Sequence, residues 1–163
     1  INKIEKGYLA TKKLTGNFKN RQTVLNGAMH KDILYLPSCT STEALFHKDA
    51  IVKYLLSETK GSGSLALNFE AVLVKAQDAD LWLNPSYYHS LNAIEKANSH
   101  YTKFRAFQEK KVYSFVDKTG ATGGVLYYEL GMARPDLVLK DLIKICHPEL
   151  LEAYEPFFFQ KLE

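Results

Sequence analysis

The five histidines are the side chains of this sequence best suited to proton transfer near neutral pH. None of them stands in a recognised catalytic motif, and no G-x-S-x-G pattern places a nucleophilic serine beside a base. We therefore expect these histidines to lie at the surface or at helix ends. They are His30, His47, His89, His100 and His147. We predict a protein that binds rather than catalyses, with no catalytic residue.

The two cysteines, Cys39 and Cys146, lie far apart in the sequence. They lack the paired spacing of a zinc site or a redox motif, and two cysteines alone do not establish a disulfide. The sequence therefore predicts neither a metal held by protein side chains nor a resident cofactor.

Two glycine-containing segments, Gly61-Ser62-Gly63 and Gly120–Gly124, could suggest a phosphate-binding loop. Neither is followed by Gly-Lys-Ser/Thr, and neither reproduces G-x-G-x-x-G after a strand, so flexible turns are the better interpretation. Gly123-Gly124 precedes a predicted helix, whose exposed N–H groups could hold a ligand carboxylate. That alternative stays open from the sequence.

Aromatic residues with polar tips cluster in two places, Tyr87-Tyr88-His89 and Tyr127-Tyr128. Sites for large planar or chelate ligands favour such side chains. Packing into the core is the alternative for at least half of them. Tyr88 and Tyr127 are the first candidates for ligand contact.

Composition narrows the range of partners. The 21 basic and 18 acidic residues are spread along the chain, without the concentrated basic stripe that selects phosphate backbones, so no nucleic-acid partner is expected.

The 163 residues, 46% of them hydrophobic, predict one domain with one core. The start lacks a signal-peptide core, and its helical apolar face suggests a fragment of a longer protein.

The hydrophobic pattern of the first half predicts short elements separated by polar links. In chain order we expect a helix over residues 1–14 closed by a left-handed Gly16, strands over 22–27 and 33–36 paired as a hairpin, a helix over 41–56 with a capping box at Thr40 and Glu43, and a polar loop over 57–64.

The second half alternates strands and helices more clearly. We expect a helix capped by Asn68, a buried strand over 79–85, a helix over 91–104, a strand over 111–116, a short helix over 125–130 and a last helix with Pro135 in its first turn.

This alternation predicts a three-layer αβα lobe with a mainly parallel central sheet. Ligands of open α/β sheets lie at the carboxyl ends of the strands. The loops expected there are Pro37–Thr40, Asn84–His89 and Asp117–Gly124. The residues predicted to contact a ligand are Ser38, Tyr87, Tyr88, His89, Lys118 and Tyr127.

Five stretches, in order and spacing, carry a resemblance to a known family. On these five stretches and a final HPEL at 147–150, the chain resembles the ABC-transporter substrate-binding proteins for iron-siderophores, haem and cobalamin. The stretches are DILYLP at 32–37, GSLALNFEAV at 63–72, ADLWL at 79–83, KVY at 111–113 and RPDLVLKDL at 134–142.

The resemblance implies the C-terminal lobe of a two-lobed protein whose lobes are joined by one long helix. Residues 1–14 would be the end of that helix, and residues 15–163 the C-terminal ligand-binding lobe. The implied location is the periplasm, with a lipoprotein anchor to the cell envelope. The implied partners are an N-terminal lobe of the same protein, an iron chelate or similar ligand that carries its own metal, and an ABC permease in the inner membrane.

Glu70 lies in the first turn of a predicted helix, where the helix dipole favours a carboxylate, so capping electrostatics alone would account for it. The resemblance implies a further role, because the matching glutamate of each lobe docks against arginines of the permease. An exposed carboxylate on a rigid helix start suits such bidentate recognition.

The chain departs from the family pattern at two places. Ser38-Cys39 stands where many relatives have Gly-Gly after the proline, and Asp49–Val52 (DAIV) stands where they have Asp-Ala-Gly-Gly. The first departure lies in a predicted ligand loop, and the second removes a glycine that would end a helix.

Two other functions remain open from the sequence. A nitrogenase-component-like or chelatase-like enzyme of related architecture would need cluster-binding cysteines or a metal-binding His/Glu pair, for which Cys39 could supply one ligand. The second open function is that of a sensor module that takes no part in transport.

Overall fold

The computed structural model describes residues 2–31, 33–37, 42–55 and 64–163. The α-helices in these ranges are α1 (Lys3–Lys13), α2 (Thr42–Asp49), α3 (Phe69–Ala76), α4 (Leu91–Ala97), α5 (Arg105–Gln108), α6 (Leu126–Leu130) and α7 (Pro135–Cys146). The strands are β1 (Thr23–Asn26), β2 (Ala28–His30), β3 (Ile33–Pro37), β4 (Lys53–Tyr54), β5 (Ser64–Asn68), β6 (Leu81–Leu83), β7 (Val112–Ser114) and β8 (Gln160–Lys161). Short 3-10 helices cover Ser99–Lys103 and Pro148–Leu150.

The central sheet has the strand order β4-β1-β6-β7-β8. Its first four strands are parallel, and only β8 runs antiparallel, at the edge beside β7. The prediction of a mainly parallel sheet is confirmed.

Helices cover both faces of this sheet because its strands are apolar on both sides. Leu25 and Trp82 point into a core shared with α3, α4 and α5, whereas Val24, Leu81 and Leu83 point into a core shared with α2 and α7. All five side chains are at most 4% exposed. The three-layer αβα lobe is therefore confirmed. Both cores contain aromatic rings, and in the first, called the Trp82 core below, Tyr101 and Phe104 pack around Trp82.

A carboxylate holds the amino-terminal edge of the sheet. Asp80 Oδ2 accepts hydrogen bonds from the Thr23 backbone N–H and hydroxyl, both at 2.8 Å, and Asp80 also pairs with Arg105. Burial opposes ionisation of this carboxyl, but the Thr23 hydrogen bonds and the Arg105 charge outweigh it and lower its pKa. The starts of β1 and β6 are thus fixed relative to each other, away from the edge that would hold a ligand.

A second, smaller sheet corrects the predicted hairpin. Its order is β2-β3-β5, all antiparallel, and β3 pairs with β2 rather than with β1. The prediction placed residues 29–32 between the two strands, but residues 28–30 form a strand of their own, and Gly27, at φ 154°, separates it from β1. Residues 64–68, predicted partly as loop, form β5.

The predicted helix over 41–56 is wrong beyond residue 49. After α2 ends at Asp49, the chain turns and forms β4. The backbone N–H of Val52 donates to the His47 carbonyl and that of Ile51 to the Lys48 carbonyl, while Ile51 has φ 54°. This is a Schellman motif, with isoleucine in the left-handed position that glycine usually takes. Thr40, of the predicted capping box, lies outside the described residues.

Two further helix predictions needed correction. The helix predicted over 91–104 breaks at Asn98, whose extended backbone and side-chain acceptor begin a 3-10 helix instead. Helix α1 ends without a left-handed Gly16; the Thr15 hydroxyl donates to the Lys12 carbonyl there. The cap at Asn68 and Pro135 in the first turn of α7 are both as predicted.

Candidate functional site

The carboxyl ends of β1, β6 and β7 meet at one edge of the central sheet, since these strands are parallel neighbours. The loops after β6 and β7 are joined there by a contact between the His89 ring and the Asp117 carboxylate. His89 is the more exposed partner, with 68% of its side chain accessible. The structure thus brings two of the three predicted ligand loops together, and the third, Pro37–Thr40 with Ser38, lies almost entirely outside the described residues.

The three predicted tyrosines have different surroundings. Tyr87 is 64% exposed, whereas Tyr88 is half-buried against the Trp82 core. Tyr127 is half-buried against the core shared with α2 and α7, where it stacks on the buried Phe115, with ring centroids 4.1 Å apart and planes 10° from parallel. Tyr88 and Tyr127 therefore both pack partly on the cores, and Tyr87 is the most exposed of the three.

Lys118 is held by the C-terminal segment. Its Nζ donates to the Pro156 carbonyl at 2.9 Å and lies 5.8 Å from the centre of the Phe157 ring. The amine keeps further donors, so the position suits a ligand contact that is pre-oriented by the protein.

The glycine segment Gly120–Gly124 already has a carboxylate beside it. Glu129 accepts a hydrogen bond from the Thr122 hydroxyl, and a Cβ added to Gly124 would lie 2.6 Å from Glu129 Oε1. The segment closes through a hydrogen bond from Gly120 N–H to the Gly124 carbonyl, with Gly123 at φ 83°. Because these glycines have no side chain, the Glu129 carboxylate can lie beside them. It stands near the place where the sequence suggested a ligand carboxylate.

A row of uncharged polar side chains crosses the same sheet edge. Asn26 ends β1 and Asn84 follows β6; the Asn84 amide donates to Asn26 Oδ1 at 3.2 Å, and Asn26 Nδ2 lies 2.7 Å from His47 Nε2. His47 also stacks on Tyr54, with ring centroids 5.5 Å apart. The sequence pattern did not predict this row, although an asparagine at the end of each of two buried strands was a signal for it.

Burial lowers the pKa of His47 to about 4, so its ring is neutral near neutral pH. Because Asn26 donates to Nε2, the ring proton lies on Nδ1. His47 and His147 both lie at helix ends, as expected, but both are buried, with 2% and 1% exposure. His147 Nε2 lies 2.9 Å from the Ala50 carbonyl and joins the ends of α7 and α2.

Glu70 stands in the first turn of α3, and its side chain is exposed. The preceding Asn68 caps the helix by accepting from the Ala71 backbone N–H at 2.8 Å. Val74, one turn along the same face, is 87% exposed. The structure thus places the predicted docking carboxylate on a fixed and accessible helix start.

The described residues contain no group of three or more His, Cys, Asp or Glu side chains that could hold a metal ion. Cys146 is a buried free thiol whose pKa is raised by burial, and Cys39 lies outside the described ranges. In the part of the chain that the structure covers, no helix has both the length and the apolarity needed to cross a membrane.

No protein-family model matches the sequence. Solved structures match the fold over nearly the whole chain at low identity. CeuE of Helicobacter pylori, solved with Ni(II) bound, has a TM-score of 0.66 at 11% identity, over 93% of this chain and 46% of that one. The TroA-like periplasmic binding protein FepB of Veillonella parvula has a TM-score of 0.64 at 13% identity, over 98% and 55%.

A possible iron-binding, periplasmic solute-binding protein of Staphylococcus epidermidis matches with a TM-score of 0.65 at 13% identity, over 87% of this chain and 51% of that one. In each case the chain covers about half of a solute-binding protein. It has the fold of a single solute-binding lobe.

Among curated sequences, an uncharacterised lipoprotein of Methanocaldococcus jannaschii is 30% identical to this lobe over 130 residues. The match covers 78% of this chain and 29% of the relative's length. The lobe thus spans less than a third of the curated relative that it matches.

Proposed function

We propose that this lobe belongs to the substrate-binding component of an ABC importer, which captures an iron-siderophore or a related metal chelate such as haem or cobalamin. The observation that carries the proposal is the match of the fold to one lobe of solute-binding proteins, among them one described as a possible iron-binding protein and one solved with Ni(II). The exposed aromatic and polar side chains at the carboxyl edge of the sheet support it, since they lie where such folds bind ligands.

In this proposal the metal is part of the ligand, and the lobe supplies one wall of the binding cleft. A preceding lobe of the same protein supplies the other wall, and α1, which packs against α7, is the end of the helix that joins them. The protein acts outside the cytoplasmic membrane, in the periplasm and anchored as a lipoprotein. The lipoprotein relative supports that location.

Titration calorimetry on the complete protein tests which of these ligands it binds. Titrations with ferric siderophores, haem and cyanocobalamin should show saturable binding of at least one of them. The fluorescence of Trp82, the single tryptophan of this sequence, gives a second readout because the predicted ligand loop begins two residues after it. Absence of binding in all titrations would contradict the proposal.

We further propose that Glu70 docks the lobe to an arginine of the permease. The helix cap at Asn68 holds the carboxylate in place, and its exposure leaves it free to accept two N–H groups. The Glu70→Lys variant should keep ligand affinity and lose uptake at least tenfold, because repulsion replaces attraction at the interface.

Glu95→Lys, on the exposed face of α4, is the matched control and should leave both quantities unchanged. Equal uptake by the Glu70→Lys and Glu95→Lys proteins would exclude the docking role. Loss of ligand binding by Glu70→Lys would instead assign the carboxylate to the cleft.

A further inference from the structure

Two buried polar atoms without a partner among the described residues belong to side chains that line one small pocket at the carboxyl edge of the sheet. His47 Nδ1 and Asn84 Oδ1 are buried and have no hydrogen-bond partner in the described part of the chain. Buried polar atoms in native proteins nearly always meet a protein group, a water or a ligand. The pocket is lined by Asn26, Phe46, His47, Leu83, Asn84, Tyr127, Val138, Leu142 and Phe159.

The lining selects the charge of whatever enters. It contains no Asp, Glu, Lys or Arg side chain, and its one histidine, His47, is neutral because burial lowers its pKa to about 4. A carboxylate or phosphate would be buried there without a counter-charge, which costs a large desolvation free energy. An uncharged oxygen meets no such penalty.

The two atoms, His47 Nδ1 and Asn84 Oδ1, are of opposite kinds. With the ring proton on Nδ1, His47 offers a donor, whereas Asn84 Oδ1 offers an acceptor. A hydroxyl group can satisfy either, since it both donates and accepts. The pocket has space of about 10 Å³, which fits one group of the size of a water molecule.

The backbone at Asn84 is held in an uncommon conformation. Asn84 has φ 57° and Ser86 has φ 102°, both in the left-handed region, while the Asn84 backbone N–H donates to the Tyr113 carbonyl at 2.9 Å. Strained backbone persists where neighbouring structure enforces it, and it concentrates at ligand sites. Here it places the Asn84 side chain against Asn26 at the start of a predicted ligand loop.

We infer that this pocket receives one uncharged hydroxyl group of the bound ligand, which hydrogen-bonds to the His47–Asn26–Asn84 row. The inference rests on the proposed function, because it describes how this lobe would recognise part of the chelate. It narrows the ligand to one that presents a hydroxyl, rather than a carboxylate, to this lobe.

A first experiment uses small probes in place of the chelate. NMR titration of the protein with methanol should give saturable shifts of the Asn84 side-chain amide and of the His47 ring nitrogens, and titration with acetate should not. Asn84→Gly removes the acceptor and keeps the backbone, because glycine adopts positive φ without strain, so the His47 ring signals of this variant should saturate only at a higher methanol concentration. A pocket that holds water alone predicts no saturable response to methanol, which would overturn the inference.

A second experiment uses the complete protein and any chelate that it binds by calorimetry. Asn84→Gly and His47→Gln should each weaken binding about 3- to 10-fold, the effect of one hydrogen bond, while Asn92→Ala on the exposed face of α4 should not. Unchanged affinity in both variants would overturn the inference and leave the transport proposal standing. A methanol response without binding of any chelate would instead remove the transport proposal and keep the hydroxyl site.

Discussion

One carboxylate, Asp141, holds the C-terminal segment against α7. It is fully buried and accepts hydrogen bonds from the Tyr154 hydroxyl and from the backbone N–H groups of Phe157, Phe158 and Phe159, at 2.6 to 3.1 Å. No other carboxylate in the described residues gathers as many donors. It thereby fixes the rings that surround Tyr127 at the candidate site.

Asp141→Ala should lower the free energy of unfolding by about 3 kcal/mol, because four donors lose their acceptor and three of them are backbone groups. Tyr154→Phe, which removes a single donor, should cost about 1 kcal/mol. Urea unfolding measures both. Equal losses in the two variants would mean that the backbone hydrogen bonds contribute nothing.

His47 makes the stability of the lobe depend on pH. Its pKa is lowered from 6.5 to about 4 in the folded state, so the unfolded chain binds the proton more tightly. The stabilisation is therefore complete above pH 6.5 and is lost as the pH falls from there to about 4, by about 3 kcal/mol in all.

The His47→Gln variant should lose most of this slope between pH 6.5 and 4, measured by urea unfolding at each pH. The carboxyls with lowered pKa, such as Asp80, give a separate loss of stability at lower pH. An unchanged slope in the variant would show that His47 is not the titrating group.

The sequence predicted which loops meet at the sheet edge better than it predicted buried contacts. Tyr87, His89 and Lys118 could be assigned to that edge because loops after strands in a parallel sheet must share one edge, and their contact with a ligand stays a prediction. The Asn26–His47–Asn84 row was missed because its members lie in three elements and meet only through packing. No local spacing links a residue of α2 to the ends of β1 and β6.

At the scale of elements, the end of α2 shows how context overrides a local signal. The family pattern that the sequence resembles has glycine where this chain has Ile51, and the absence of that glycine made a longer helix the better prediction. The helix nevertheless ends at Asp49, because β4 must pair with β1 and the Schellman hydrogen bonds form regardless. Isoleucine then adopts φ 54°, which a β-branched side chain disfavours.

Ile51→Gly should therefore raise the free energy of unfolding by about 1 kcal/mol, through relief of the left-handed strain. Val52→Gly, at the next position, should lower it by about 2 kcal/mol, because Val52 is buried and does not have a positive φ. Thermal or urea unfolding distinguishes them. A loss of stability in Ile51→Gly as large as that in Val52→Gly would contradict the claim that the left-handed backbone of Ile51 is strained.

At the scale of the whole lobe, the alternation of strands and helices was enough to predict the three layers. Periodicity could not predict the small antiparallel sheet, since a three-residue strand such as β2 is shorter than any reliable pattern. The edge position of β8 was equally hidden, because two residues carry no period.

Strand β8 and its neighbours contribute side chains to both cores. Phe158 and Phe159 lie in the core shared with α2 and α7, and Leu162 lies in the Trp82 core on the other face of the sheet. Leu162→Ala should lower the free energy of unfolding by about 3 kcal/mol, whereas Glu163→Ala, at an exposed neighbour, should have little effect. Calorimetric melting of both variants measures the difference.

The antiparallel β8 also sets an order of events during synthesis. Until residues 158–162 leave the ribosome, β7 has an open edge, and both apolar faces of the sheet lack part of their cover. Open strand edges invite pairing with other chains. A nascent lobe that stalls before this point would therefore expose β7 to pairing with other chains.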